Sequence, residues 1–207
     1  MDIITLSQKL QDRLTKPLPG EEFQQTMLAR PRSDLSWLKR DVFHPAAVLI
    51  LFFPHRTGIR FFLTQRTTLV QHHKGQVSLP GGAWESGETL EETALRETEE
   101  EMGIPRKGVT LLGPLSPLPV PVTGFMIHPF VGVSTGEPVT NHAVDEVARI
   151  FKISLTELLD DSRVETEVRM IRGTPFQVPF FHFDEVKVWG ATSMILAELK
   201  QALVECL

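Results

Sequence analysis

Apolar residues recur in this chain with two periods, and the change from one to the other marks out its elements. Ile3, Leu6, Leu10 and Leu14 fall at helical spacing, which predicts a short amphipathic helix within residues 1–16. Lys16-Pro17-Leu18-Pro19-Gly20 ends it. Residues 21–41 are mixed and polar, with a second, weaker helix expected from Glu21 to Ala29 before Pro31. Pro45 then opens the unbroken apolar run Ala46–Phe53, and Ile59–Thr64 follows a turn at 54–58. These read as two paired strands, the first buried. Val77-Ser78-Leu79 is a short strand leading into Pro80-Gly81-Gly82, and Val109–Leu112 is another. Pro114, Pro117, Pro119 and Pro121 predict an irregular surface loop over 113–124. Phe125–Val133 resumes as a strand, with Pro129 at an edge or bulge.

Downstream, Glu146–Ile153 reads as a strand, and Ser154-x-x-Glu157 caps a short helix. Val164–Ile171 and Phe176–Phe183 form a hairpin around Gly173-Thr174-Pro175. Val186–Trp189 precedes Gly190, and a closing helix from Ala191 to about Glu205 buries Ile195, Leu199, Ala202 and Leu203. Strands interrupted by a central and a terminal helix predict an α/β chain: a mixed sheet with helices on both faces. The central helix is the most sharply defined. Thr89 is its N-cap and Glu92 completes a capping box. Gly103 supplies a left-handed stop before Pro105, so the helix spans Leu90–Met102. Leu90, Ala94, Leu95, Thr98 and Met102 share one arc. Glu91 also falls inside it, and nothing in the sequence accounts for that.

On the edge of this arc Glu97 and Glu101 are i,i+4 neighbours, with Glu100 beside Glu97. Crowded carboxylates repel by about 0.2–0.5 kcal/mol per exposed pair. A hard divalent cation reverses the sign of that cost, and Mg²⁺ takes oxygen ligands, water and substrate phosphate. A solvated acidic face is the plainer explanation of a bare charge run. This run is not bare: glycine, glutamate and arginine follow G-x5-E-x7-R-E-x2-E-E-x-G from Gly82 to Gly103. Its chance occurrence is on the order of 10⁻⁵ per window. The pattern resembles the Nudix box, departing only at Thr98, where the family has an apolar residue.

That resemblance implies a Nudix-type α/β/α sandwich over residues 42–207, with residues 1–41 as an N-terminal helical extension. It implies a Mg²⁺- or Mn²⁺-dependent hydrolase of nucleoside diphosphate derivatives. Glu97, Glu100 and Glu101 are then the metal ligands. Arg96 orients carboxylates, with Glu88 or Glu100 in reach, and the Arg96–Glu88 pair fixes the loop against the helix. The general base is open between Glu97 and a distal acid such as Glu146. Carbonyls of the Gly81-Gly82 turn can approach the same ion.

Upstream, Phe62-Leu63-Thr64-Gln65-Arg66-Thr67, Gln71, and His73-Lys74-Gly75 through Leu79-Pro80-Gly81-Gly82 are similar to the extra motif of coenzyme A pyrophosphatases. Phe62, Thr67, Gln71 and Leu79 depart from it, and Gln71 replaces an arginine. The likeness implies cleavage of coenzyme A or acyl-coenzyme A to 3′,5′-ADP and (acyl-)4′-phosphopantetheine. Arg66 and Lys74 suit its phosphates, and His73 orders the loop. Other substrates within the same chemistry are ADP-ribose, NADH and nucleoside triphosphates; a non-catalytic nucleotide-binding module is the reading outside enzymes.

Composition narrows the classes. A formal charge of -5 argues against nonspecific nucleic-acid binding. The start, Met-Asp-Ile-Ile-Thr-Leu, lacks a basic region followed by an apolar core, and Ala46–Phe53 is too short to span a bilayer. With a single cysteine, Cys206, no intramolecular disulfide can form, and a cytoplasmic setting is expected. No nucleic-acid or membrane partner is expected; a homodimer is left open.

Overall fold

The unbroken apolar run predicts a strand covered on both faces, and β1 (His44–His55) is one. Its odd residues Ala47, Leu49, Leu51 and Phe53 join a buried cluster with Ala94, Met102, Ile104 and Phe130. Its even residues Ile50 and Phe52 join a second cluster with Leu6, Leu10, Phe61, Ile195 and Leu199. Period-two side chains thus divide one strand between two cores. The computed structural model describes residues 1–30, 42–67, 75–171 and 173–207.

On one side β1 pairs antiparallel with β2 (Gly58–Arg66), in the register Phe52 to Phe61. On the other it pairs parallel with β7 (Phe125–Val133). The main sheet runs β3-β2-β1-β7-β5, where β3 is Val77–Ser78 and β5 is Thr110–Pro114; β4 (Gly81–Ala83) adds to β1, β6 (Leu118–Val120) to β7 and β8 (Val147–Ser154) to β2. Helix α3 (Leu90–Met102) covers one face, while α1 (Ile3–Leu14), α4 (Leu155–Leu159) and α5 (Ala191–Val204) pack on the other. This is the mixed α/β sandwich expected. A second, three-stranded antiparallel sheet, β9 (Val164–Ile171), β10 (Thr174–Phe183) and β11 (Val186–Trp189), contains the expected hairpin. Among the described residues no helix is long and apolar enough to cross a membrane.

Two expectations need correction. The proline-rich stretch 113–124 is not irregular throughout, because β5 runs to Pro114 and Leu118–Val120 forms β6. Leu115 and Leu118 are buried, and among the described residues β6 pairs with β7 alone, so Pro119 removes no ladder bond from an inner strand. The Glu21–Ala29 helix is reduced to α2 (Glu21–Gln24) and a 3₁₀ turn over Gln25–Met27. Gly20 offers it no side-chain cap, and so short a helix does not stabilise itself. Pro129 does sit at an interruption: Leu115 N–H donates to its carbonyl at 2.9 Å, between the β5 and β6 pairings.

The first thirty residues are tied into the body. Buried Glu198 on α5 accepts from Gly20 N–H (3.2 Å), Gln24 Nε2 (2.8 Å) and Ser116 N–H (3.1 Å). Arg13 donates Nε to Glu205 at 2.7 Å and Nη1 to the Pro17 carbonyl at 3.0 Å.

Candidate active site

Helix α3 begins and ends as its sequence dictates. Thr89 and Glu92 form the reciprocal capping box, and Gly103 closes the helix at φ 69°. Ala94, Thr98 and Met102 are buried on the sheet, while Glu91 is exposed. Thr98, the departure from the box, turns its hydroxyl onto the Ala94 carbonyl at 2.7 Å. Its polar atom is satisfied within the helix and its methyl is left for packing.

With that face down, the box carboxylates converge on Arg96. Nε and Nη2 grip Glu88 at 3.0 and 2.9 Å, Nη1 reaches Glu97 at 2.8 Å and Glu100 at 3.0 Å, and Nη2 also bonds the Ala83 carbonyl at 3.1 Å. Sequence left Arg96 a choice between Glu88 and Glu100; it takes both, and Glu97 besides. Its donors are consumed by the protein, which makes it an organiser of carboxylates. Glu88 also accepts from Thr93 Oγ1 (2.8 Å) and Glu85 N–H (3.0 Å), and Trp84 Nε1 donates to its carbonyl at 2.7 Å. The Arg96 bonds, with Thr93 and Glu85 adding, hold the Glu88 carboxyl down at about 2. Thr93 and Glu85 were not anticipated as its partners, because a contact between loop and helix leaves no periodic signal.

Glu101 meets a different environment. It is 5% exposed, and among the described residues Gly81 N–H at 3.3 Å is the one hydrogen bond to its carboxylate. Burial pushes its carboxyl up to about 7; the Gly81 bond and Arg66 pull the other way, and Glu97 and Glu146 push further. Glu97 is also raised, first by burial, against Arg96, with Glu100 and Glu146 adding. A Cβ on Gly82 would collide with the Glu97 carboxylate, and one on Gly81 would lie 2.6 Å from Val48 Cα. Only glycines allow the turn to lie between β1 and this carboxylate. Glu146 lies exposed just before β8, its backbone bonded to Thr67 and Ala143. Its charge adds, as the smallest of the named causes, to the raised carboxyls of Glu97 and Glu101.

These donors fit a hard divalent cation. Two under-neutralised carboxylates on adjacent turns, against a glycine backbone, offer oxygen and no competing soft ligand. Among the described residues no three His, Cys, Asp or Glu side chains form a ready cage.

A cleft of about 440 Å³ opens beside the glycine turn. Gly81, Gly82 and Arg66 line it beside the carboxylates, and Val120, Val122, Ile127, Ile195 and Trp189 supply apolar lining. Arg66 ends β2 at a register shift, and its buried Nε has no partner among the described residues. The apolar wall was not foreseen, since its residues come from β6, β7, β11 and α5. His73 and Lys74, like Gln71, lie outside the described residues.

A family model for the NUDIX domain matches residues 42–173. "Uncharacterized Nudix hydrolase NudL" of Citrobacter koseri is 36% identical over 173 residues, 83% of this chain and 88% of that protein. Its namesake from Klebsiella pneumoniae is 38% identical over 155 residues, 74% and 80% of the two chains. Among solved structures, the Nudix hydrolase RenU of M. smegmatis superposes with a TM-score of 0.54 at 17% identity, covering 79% of this chain and 88% of its own. The MutT/nudix family protein of Enterococcus faecalis gives 0.54 at 14%, covering 92% and 76%. Box, fold and relatives agree: the chain belongs to the Nudix hydrolase family and is a pyrophosphohydrolase.

Proposed function

We propose that the chain hydrolyses the diphosphate of coenzyme A or an acyl-coenzyme A, giving 3′,5′-ADP and (acyl-)4′-phosphopantetheine. The observation that carries this reading is the cleft. Its lining combines the glycine turn and Arg66 with the apolar side chains of Val120, Val122, Ile127, Ile195 and Trp189. A diphosphate bearing an extended uncharged arm suits that shape better than a compact sugar diphosphate does.

Nudix hydrolases use divalent metal ions, and Mg²⁺ or Mn²⁺ held by Glu97 and Glu101, with Glu100 at the rim, is the ion we assign. When bound, such an ion neutralises phosphoryl charge and lowers the pKa of water. Arg96 keeps Glu97 and Glu100 in place, while Glu88 clamps the loop to α3. Glu97 or Glu146 accepts the proton of the attacking water. Arg66 provides a cation at the phosphate end, and Lys74 joins it for the 3′-phosphate.

The comparison of coenzyme A with dephospho-coenzyme A, which lacks only the 3′-phosphate, tests this. A charge-assisted contact is worth about 1.5–3 kcal/mol, or roughly 10- to 150-fold in kcat/KM. With Gln71 in place of an arginine, a preference near the lower end is expected, and Lys74→Ala shrinks it. Equal kcat/KM for the two substrates, untouched by Lys74→Ala, contradicts the assignment of these cations.

A further inference from the structure

One side chain of the cleft lining carries a cation on its face. Trp189 closes β11 and lines the cleft. The guanidinium carbon of Arg169 lies 4.4 Å over its ring, reaching from β9 across β10. Arg169 is itself pinned: Nε and Nη2 both lie 2.5 Å from Glu167 Oε1. The other oxygen of Glu167 accepts from Lys187 Nζ at 2.8 Å, and Lys187 sits 4.4 Å over Phe180. Immediately after Trp189, Gly190 at φ 71° turns the chain into α5, whose Thr192 and Ile195 line the same cleft. The indole thus carries a cation over one face, precedes a sharp turn, and contributes to the lining of the cleft.

From this geometry we infer that Trp189 is a specificity-determining residue for the non-nucleotide arm of the substrate, and that Arg169 is the residue that positions it. The arm's chemical class is an extended chain of methylene and amide groups, which an indole face and aliphatic walls accept without a charge partner. The inference rests on the reading that the substrate is a diphosphate carrying such an arm. A surface aromatic packed merely for stability would need neither the pinned guanidinium nor a place in the cleft.

Two measurements on the full chain with Mg²⁺ separate the possibilities. In steady-state kinetics, Trp189→Ala should raise KM for coenzyme A relative to that for ADP-ribose by on the order of 10-fold, with kcat for coenzyme A changed far less. Arg169→Gln should shift KM in the same direction by about 3-fold, and Arg169→Lys, which keeps the cation, should recover most of it. Equal losses on both substrates, or losses in kcat alone, overturn the inference while leaving the substrate reading intact. The second measurement is titration of wild type and Trp189→Phe with pantetheine, which has the arm and no diphosphate, read by tryptophan emission. An emission change in wild type that is absent in Trp189→Phe supports the inference even if coenzyme A is not turned over, in which case only the substrate reading falls. Identical responses in the two proteins overturn it, also where Trp189→Ala does not fold.

Discussion

Two adjacent glycines illustrate how much a single residue decides here. The three atoms nearest a Cβ on Gly82 would be the far end of the Glu97 side chain, which can swing away. Gly82→Ala should therefore fold with near-normal thermal stability and lose activity by about 10-fold or more, because a displaced ligand carboxylate costs positioning. Gly81→Ala meets Val48 and Ala47 backbone at φ 150°, so it should lower Tm or abolish soluble protein. Melting curves and initial rates on both variants check the contrast; the reverse pattern would contradict the placement of Glu97. Glu101→Gln probes burial directly. The folded-state pKa of Glu101 is raised from 4.5 to about 7, so the folded protein holds a proton that the unfolded chain has released. In the metal-free protein this carboxyl costs nothing below pH 4.5. Its penalty grows as pH rises to 7, reaching on the order of 3 kcal/mol. Glu101→Gln should then be more stable than wild type at pH 8 in chelator, equal to it near pH 4, and at least about 100-fold slower with metal. Equal stability at both pH values would show Glu101 is not the burdened group.

At the scale of elements, legibility followed periodicity. Leu90–Met102 was readable to the residue, because Thr89, Glu92 and Gly103 are local signals that act within one turn. β1 was readable as a doubly covered strand from its apolar run. β6 was not, since its pairing with β7 is a tertiary fact that four prolines conceal. The apolar wall of the cleft was illegible for the same reason: Val120, Ile127, Trp189 and Ile195 are distant in sequence and meet only in the fold. The opening helix carries its own test. Leu10 is fully buried in the same cluster as Ile50 and Phe52, so α1 contributes to the sheet's core. Leu10→Ala should destabilise by about 2–5 kcal/mol, measured by urea denaturation. A loss under 1 kcal/mol would mean that residues 1–30 are an appendage rather than part of the core.

Across the whole molecule the division of labour is between a family-wide engine and an individual cleft. The carboxylates, Arg96 and the glycine turn sit on α3 and β4, elements whose local sequence encodes both their structure and their chemistry. In the proposed function, substrate choice falls to the cleft lined from β2, β6, β7, β11 and the start of α5, which the chain brings together from across its length. Reaction class was therefore legible from one 22-residue window, while the cleft required coordinates. Mass analysis of the products tests engine and cleft together. Incubated with coenzyme A and ADP-ribose in equal amounts, the protein should release 3′,5′-ADP and 4′-phosphopantetheine faster than AMP and ribose 5-phosphate, and neither pair without Mg²⁺ or Mn²⁺. Faster cleavage of ADP-ribose under the same metal, or release of 3′,5′-ADP in chelator, would contradict the account.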